Sequence, residues 1–316
     1  MNQQVVIGAG PVGSGIACTL AERGEAVTVV TRSGSGPEHP LITKARADAG
    51  DSDQLAQLAQ GAVAIYNCAN PPYHRWDTDW PPIHSALMAA AEKTGAVLVM
   101  MDNLYGFGRG TAMPMHELDP TNTTGVKGAV RAAMEKDLLE AHAAGTLRAT
   151  FARASDFYGP GVRDAGLGER VWNKLLAGKK VSVLGELDTP HSISYMPDVV
   201  QTMITIAGDE RAWGKPWHVP NAPACTQREV INAFAVAAGT TAKVGAVPKS
   251  ILRALGVFSP LLKALRETEY QFSEPWITDS SLTEQTFGLR ATSLADAASA
   301  TAAWWRAEST KPGATK

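Results

Sequence analysis

Residues 3–15 read "QQVVIGAGPVGSG", an apolar run that ends in glycines and then continues with helical spacing. A strand, a glycine-rich turn and a helix in this order are typical of the first βα unit of a dinucleotide-binding sheet. Gly8 permits the tight turn, Gly10 lets the backbone approach a pyrophosphate, and Gly13 lets the helix pack closely on the strand. The predicted phosphate-binding residues are Gly8, Gly10, Pro11, Val12 and Gly13.

Strand and helix patterns alternate beyond this turn. The β-branched run "EAVTVVT" (25–31) follows the first helix pattern, and "AVAIYN" (62–67) and "AVLVMMDN" (96–103) are two further strands separated by helical spacing. Such alternation predicts an α/β fold, a Rossmann doubly wound parallel sheet. After Gly159 shorter helices and Gly/Pro-rich connections predict a smaller C-terminal α/β substrate lobe. The predicted domains are 1–158 with 192–218 returning to it, and a substrate-binding lobe of 159–191 and 219–316.

Composition excludes several classes of protein. The chain has 316 residues, of which 45 % are hydrophobic and 19 % charged, and its net charge is −2, so no basic surface for nucleic acid is expected. Three scattered cysteines without a C-x-x-C spacing predict neither a metal site nor a disulfide framework. The longest apolar segment, "ILRALGVFSPLLKAL" (251–265), carries charges and is predicted to form a buried or pocket-lining helix pair. With no spanning segment and no signal-like start, we expect a cytoplasmic protein that does not bind membranes.

The end of the second predicted strand bears on the cofactor. An NAD site usually places Asp or Glu there for the ribose hydroxyls, whereas this chain has Thr31, Arg32 and Ser33. A guanidinium and a hydroxyl suit a 2′-phosphate, which favours NADP (NADPH) over NAD. The alternative is that Arg32 is a solvated loop residue. Asp48 is placed to meet an adenine amino group, or is a plain surface aspartate.

Several segments resemble the extended short-chain dehydrogenases, the NAD-dependent epimerase/dehydratase superfamily. "DNLYGFG" (102–108) is similar to the family segment that ends in Val-Tyr-Gly, and "FARASDFYGPG" (151–161) is similar to Arg-x-x-Asn-x-Tyr-Gly-Pro. "SYMPDVVQTMI" (194–204) and the C-terminal "TFGLRATSLADAASATAAWW" (286–305) match further family segments. The resemblance covers most of the chain and implies the same Rossmann fold. Members of the family differ in activity, so the fold alone does not identify the reaction.

The family's Tyr-x-x-x-Lys motif is only half present in this chain. The resemblance implies that Lys127 binds the nicotinamide ribose, whereas Thr123 stands where the family has its proton-donating tyrosine. A threonine hydroxyl is a poor proton source near neutral pH. The family's Ser or Thr at the end of the fifth strand corresponds to Met101, which cannot donate a hydrogen bond. The nearest residue with a donor is Asn103.

The proton donor is therefore open at this point. Tyr105 is the nearest alternative phenol, at the carboxyl edge where ligands bind in such sheets, although it could equally serve loop packing. His74 is a second candidate because a histidine titrates near neutral pH. A water molecule held by Thr123 and Asn103 is the third.

Further contacts are predicted from the strand ends and from the "NPPYHRWDTDWPP" segment (70–82). The resemblance implies that Ser155 touches the nicotinamide and that Asp156 reaches the substrate. His191 stands where sugar-nucleotide members often carry an arginine that grips the diphosphate, which argues against a nucleotide sugar. The other predicted contacts are Ala69 and Asn70 with the cofactor, and Tyr73, His74 and Trp76 with the substrate, although residues 70–82 could equally form a rigid surface loop.

These observations favour an NADPH-dependent oxidoreductase that acts on a small carbonyl or related compound through a non-standard catalytic site. One alternative is an NADP-binding sensor or regulatory protein without dehydrogenase turnover. The other is an epimerase or dehydratase with a non-nucleotide substrate. The expected partner is a small molecule, and because relatives often form dimers, the resemblance implies a homodimer.

Overall fold

A computed structural model of the chain describes residues 2–247 and 264–310. Nearly all of the helix pair predicted at 251–265 lies outside these residues. The chain divides into two compact units. The first comprises Met1–Gly110, Glu117–Ala154 and Val199–Val219, and the second comprises Thr111–His116, Ser155–Asp198 and Pro220–Lys316.

The first unit is built on a seven-stranded sheet whose paired strands are all parallel. Its spatial order is β11-β6-β5-β4-β1-β2-β3, which reverses direction at β1 as a doubly wound sheet does. The predicted Rossmann sheet is thus confirmed. The strands are β1 (Gln3–Ile7), β2 (Ala26–Thr31), β3 (Ile42–Arg46), β4 (Ala62–Asn67), β5 (Val97–Asn103), β6 (Arg148–Ala154) and β11 (Pro216–His218).

Helices connect most of these strands, whereas β2 and β3 are joined by residues 32–41, which contain no helix. The apolar faces of three of these helices and the strand residues form a buried core around Leu55, Trp80, Leu87 and Leu138. The helices are α1 (Pro11–Glu22), α2 (Ser52–Leu58), α3 (Trp76–Thr94), α4 (Val126–Ala143) and α6 (Met196–Ala207), the last belonging to this unit from Val199 onward.

The described part of the second unit has its own apolar core, and the strands described there are short. Trp172 and Phe234 stack at 4.9 Å between ring centroids, and Trp172 and Trp305 stack at 6.3 Å. The strands pair in twos, β7 with β10, β9 with β12 and β8 with β13. They are β7 (Asp156–Tyr158), β8 (Val181–Val183), β9 (Pro190–His191), β10 (Ile193–Tyr195), β12 (Cys225–Thr226) and β13 (Val244–Ala246). Among the residues that the structure describes, the helices of this unit are α5 (Glu169–Leu176), α7 (Gln227–Ala237), α8 (Ser281–Phe287) and α9 (Leu294–Ser309).

Among the described helices, none has both the length and the apolar character needed to cross a membrane.

Candidate functional site

The glycine-rich turn after β1 depends on two glycines for its shape. Gly8 has φ +100°, a conformation that favours glycine, and its N–H donates to the carbonyl of Val30 at 2.9 Å. A Cβ at Gly13 would overlap the carbonyl oxygen of Gly8. The close packing of α1 against β1 that the sequence predicts is therefore present in the structure.

The N-terminus of α1 leaves room for an anion. Gly10 is the N-cap residue and has no side chain that could cap the helix. A Cβ added at Gly10 would have no neighbouring atom within 4 Å. Pro11 occupies the first turn, and its fixed φ suits that position. The N–H groups of the first turn and the positive end of the helix dipole are suited to a pyrophosphate. The geometry therefore fits the phosphates of a dinucleotide.

Two exposed arginines lie near the carboxyl ends of β2 and β3. Arg32 and Ser33 are exposed just beyond β2, and Thr31 pairs in register with Arg46 of β3, which is also exposed. The Thr31 hydroxyl donates to the carbonyl of Ser35 at 2.9 Å, which fixes the turn. Sequence reasoning missed Arg46, because only the strand register brings it next to the predicted residues. The pair of guanidinium groups provides a positive edge that fits a phosphate.

The other predicted cofactor contacts in this unit lie at neighbouring strand ends. Asp48 is exposed, and its Oδ1 accepts the N–H of Gly50 at 2.8 Å. The half-buried Ala69 donates its N–H to Oδ1 of Asn67 at 3.3 Å. Asn70 is exposed just after it. Because parallel strands end at one edge of the sheet, these residues share that edge with the glycine turn.

Lys127 is buried, and its ammonium group lies over an aromatic ring. Its Nζ is 4.7 Å from the ring centroid of Tyr73, which lies in a 3₁₀ turn (Tyr73–Arg75) between β4 and α3. The hydroxyl of Tyr73 donates to the hydroxyl of Tyr105 at 3.2 Å. A Cβ at Gly128 would overlap the carbonyl oxygen of Tyr105, so glycine lets the start of α4 approach this loop. The structure thus brings together one predicted substrate residue and two predicted catalytic residues.

The Thr123 hydroxyl forms hydrogen bonds with the backbone of its own turn. Its hydroxyl donates to the carbonyl of Gly125 at 3.2 Å and lies 3.5 Å from the N–H of the same residue. These contacts stabilise the backbone just before α4, as threonine side chains often do at helix starts. The hydroxyl is half-buried and is engaged with the backbone.

Asn103 also acts on the backbone around the phenols. Its Oδ1 accepts the N–H of Tyr105 at 2.9 Å, which orients the turn after β5. Met101, two residues earlier, is half-buried within β5. His74 is exposed beside Tyr73.

Trp76 is a core residue, only 3 % exposed, at the start of α3. Its ring meets Tyr73 edge-on at 5.1 Å and is tilted against Tyr105 at 5.7 Å. The guanidinium of Arg131 lies 4.7 Å from the same ring, and its Nη1 is 3.4 Å from Oδ1 of Asp102. Burial raises the pKa of Asp102 to about 6 and lowers the pKa of Arg131. The buried ion pair of Arg131 and Asp102 therefore lies next to the aromatic cluster that contains the two phenols.

Sequence reasoning missed Arg131, although a signal for it was present. It follows Lys127 by four residues, one helical turn, so both side chains lie on the same face of α4. Glu135, one turn further, is buried against Arg153 of β6, whose Nε donates to it at 3.1 Å. The available signal was three charged residues at i, i+4 and i+8 that are separated by small or apolar residues.

The second unit contains the predicted Ser155, Asp156 and His191 as one cluster. His191 is buried, and its Nδ1 lies 2.9 Å from the carbonyl oxygen of Gln271. A carbonyl oxygen can only accept, so Nδ1 carries a proton. Nε2 lies 2.8 Å from Oδ2 of Asp156 and 3.4 Å from the hydroxyl of Ser155. The histidine and the carboxylate therefore lie within hydrogen-bond distance of each other.

Across residues 2–247 and 264–310, no group of three or more His, Cys, Asp or Glu side chains is arranged to hold a metal ion.

Comparison with known proteins agrees with the fold and with the resemblance seen in the sequence. The sequence profile of the NAD dependent epimerase/dehydratase family matches residues 5–219. A comparison with proteins of curated function found no significant match.

Solved structures of similar fold include several enzymes with bound ligands. UDP-glucose 4-epimerase of Thermotoga maritima, solved with UDP-glucose, has a TM-score of 0.79 at 17 % identity, covering 97 % of this chain and 99 % of that chain. UDP-glucuronic acid 4-epimerase of Bacillus cereus, solved with NAD, has a TM-score of 0.78 at 15 % identity, covering 99 % and 100 %. The Bordetella bronchiseptica enzyme WbmH, solved with NAD+, has a TM-score of 0.74 at 20 % identity, covering 97 % and 99 %. At these identities the likeness concerns the fold.

Proposed function

Because the chain belongs to the NAD dependent epimerase/dehydratase family, we propose that it is an NADPH-dependent oxidoreductase that acts on a small carbonyl compound. The observation that carries this proposal is the buried Lys127, which keeps the family's position and lies over a phenol ring that is hydrogen-bonded to a second phenol. A cation and proton-bearing groups beside a dinucleotide-binding edge are the parts that carbonyl reduction needs.

The bound nicotinamide would supply the hydride, and the chain's residues would hold and orient it. The first turn of α1 would bind the pyrophosphate, with Gly10 leaving space for it. Lys127 would bind the nicotinamide ribose. Orientation of two reactants in one site contributes a large share of the rate enhancement in such reactions.

The preference for NADPH rests on the positive edge formed by Arg32 and Arg46. A 2′-phosphate would bind both guanidinium groups through charge-assisted hydrogen bonds. An NAD-specific site would instead have a carboxylate after β2, and this chain has "TRS" there.

The cofactor preference is tested with Arg32→Ala, Arg46→Ala and the double variant. Each charge-assisted hydrogen bond contributes about 1.5 to 3 kcal/mol, so each single change is expected to weaken NADPH binding by about 10- to 100-fold. NADH binding is expected to stay nearly unchanged. Fluorescence titration of both cofactors measures this, with the exposed Arg170→Ala of the second unit as the matched control. Equal losses for NADH and NADPH, or equal affinities in the wild type, would contradict the NADPH preference.

The substrate is proposed to lack a diphosphate. His191 stands at the position of the family's phosphate-gripping arginine, and its Nε2 lies 2.8 Å from Oδ2 of Asp156. A histidine beside a carboxylate attracts a dianion far less than a free guanidinium does.

The reaction class is tested with a panel of small aldehydes and ketones, followed by the loss of NADPH absorbance. Turnover of at least one panel member is the expected result, with UDP-sugars giving none. Tight NADPH binding without any turnover would favour the sensor alternative. Stereochemical inversion of a substrate without net NADPH consumption would instead favour the epimerase alternative.

A further inference from the structure

The chain has lost the family's tyrosine at position 123 but holds two other phenols next to the retained lysine. Tyr73 and Tyr105 come from different loops, after β4 and after β5, and their hydroxyls are 3.2 Å apart. Lys127 Nζ is 4.7 Å from the Tyr73 ring centroid. The Thr123 hydroxyl interacts with the backbone of Gly125. The phenols are therefore better placed than Thr123 to exchange a proton.

The direction of the hydrogen bond distinguishes the two phenols. Tyr73 donates its proton to the oxygen of Tyr105, so the Tyr105 oxygen accepts this bond and retains its own proton. When Tyr105 loses that proton, the hydrogen bond from Tyr73 becomes charge-assisted and strengthens. This is the arrangement of a donor that stabilises an anion formed during reaction.

Lys127, Arg131 and Asp102 are charged groups that lie near this pair. The ammonium group of Lys127, in α4, lies over the Tyr73 ring. Arg131 of the same helix interacts electrostatically with Tyr105. Asp102 of β5 is the neighbouring carboxylate, and it is paired with Arg131 at 3.4 Å. Two cations and one carboxylate leave a positive surplus, which favours a negative charge on the phenol pair.

The surrounding contacts hold the phenols in place. Trp76 packs against both rings, edge-on to Tyr73 and tilted against Tyr105. The Oδ1 of Asn103 accepts the N–H of Tyr105 and so orients its backbone. Neighbours of this kind keep a proton donor in one geometry, which catalysis requires.

We propose that the Tyr73–Tyr105 pair replaces the missing tyrosine, with Tyr105 as the proton donor and Tyr73 as the positioning residue that stabilises its phenolate. This proposal rests on the proposed carbonyl reduction. Lys127, beyond its role at the ribose, adds the positive charge beside the pair.

The proton and electron balance is that of a carbonyl reduction. The carbonyl carbon gains a hydride from a reduced nicotinamide, which is the reductant. The O–H bond of Tyr105 breaks and a new O–H bond forms on the substrate oxygen, giving an alcohol. The negative charge remains on Tyr105 Oη, where it accepts the hydrogen bond from Tyr73, and a solvent proton later restores the phenol.

Kinetics of phenylalanine variants test the roles, using NADPH and the best substrate of the carbonyl panel. Tyr105→Phe is expected to lower kcat by about 100- to 10,000-fold, the contribution typical of a general acid. Tyr73→Phe is expected to lower kcat by about 10- to 100-fold with little change in KM, because it removes one hydrogen bond to a charged group. The alkaline fall of the kcat/KM profile should move to higher pH in Tyr73→Phe, because the phenolate is then less stabilised.

A spectroscopic measurement on the cofactor-free protein tests the pair without turnover. Ultraviolet difference spectra recorded as pH rises report phenolate formation, and subtracting Tyr105→Phe from wild type isolates the signal of Tyr105. The same subtraction in the Tyr73→Phe background is expected to give a Tyr105 transition at higher pH. Lys127→Met is expected to shift it in the same direction.

Tyr66→Phe is the matched control for this measurement. Tyr66 is buried in β4, and burial raises the pKa of its phenol above the usual range, as it also does for Tyr158 and Tyr195. The change should therefore leave the Tyr105 transition and the kinetics as in wild type.

Two results would overturn the proposal. One is a Tyr105 transition that is identical with and without Tyr73, together with an unchanged pH profile. The other is full activity of Tyr105→Phe. If no carbonyl compound is reduced, the proposed function fails, whereas the spectroscopic comparison still decides whether the two phenols are coupled.

Discussion

Replacing Gly13 with alanine is expected to destabilise the protein by about 3 kcal/mol and to abolish NADPH binding. The added Cβ would overlap the carbonyl oxygen of Gly8, which is backbone and cannot rotate away. Relief requires α1 to move off β1, and this also moves the N–H groups that are proposed to bind the pyrophosphate. Urea unfolding and NADPH titration measure the two effects.

Gly10→Ala is the matched comparison, because it separates the ligand from the fold. Its Cβ would meet no atom within 4 Å, and its φ of −68° and ψ of −176° suit alanine. Stability is expected to change by less than about 1 kcal/mol. NADPH affinity should nevertheless fall by about 10-fold or more, because the methyl group enters space proposed for the pyrophosphate.

The two variants therefore test different points: Gly13→Ala tests the packing of α1 on β1, and Gly10→Ala tests the proposed position of the pyrophosphate. Undiminished NADPH binding by Gly10→Ala would show that the pyrophosphate does not lie at this turn. A Gly13→Ala protein as stable as wild type would show that α1 tolerates a shift from β1.

The sheet could be predicted from the sequence because its signals are local. Most of its buried strands are short apolar runs, and a glycine turn with a strand before it and a helix after it is readable within 13 residues, 3–15. β3 and β11 were not predicted, since only Ile42 of the five residues of β3 is buried and β11 has only three residues, PWH. α3 begins at Trp76, although "WPPIHS" predicts a start at the prolines. The helix begins earlier because Asp77 and Asp79 stabilise its first turn, where Asp79 also forms an ion pair with Arg75.

Only part of the candidate site could be predicted from the sequence, because some of its contacts join residues far apart in the chain. Lys127 and the glycines belong to local motifs, whereas the Tyr73–Tyr105 hydrogen bond joins residues 32 positions apart. That contact exists because β4 and β5 are neighbours in the sheet and end at the same edge. Arg46 likewise becomes visible only through its register with Thr31. Contacts set by strand order cannot be found from spacing along the chain.

Arg131→Met is expected to destabilise the protein by about 3 to 5 kcal/mol at about pH 8, and by clearly less at about pH 5. The change leaves Asp102 buried without its main cation, 3.4 Å from the lost guanidinium. It also removes the cation that lies 4.4 Å from the Trp80 ring, although methionine fills much of the volume.

The pH dependence follows from the raised pKa of Asp102. Burial raises this pKa to about 6 in the folded protein, above that of the unfolded chain. Ionisation therefore costs folding free energy, and the cost is absent below the unfolded pKa and grows as pH rises through the folded pKa. Without Arg131 the pKa rises further, so Asp102 is protonated at about pH 5 and the missing cation matters less there.

Two controls separate charge from packing. Lys136→Met removes an exposed pair on the same helix, with Nζ 3.7 Å from Glu140 Oε1, and should change stability by less than about 0.5 kcal/mol. Adding Asp102→Asn to Arg131→Met removes the unpaired charge and should restore most of the loss at about pH 8. Urea unfolding at both pH values measures each variant. If Arg131→Met costs the same at both pH values and Asp102→Asn restores nothing, the role of Arg131 is to pack between Trp76 and Trp80, and the charge pair contributes little.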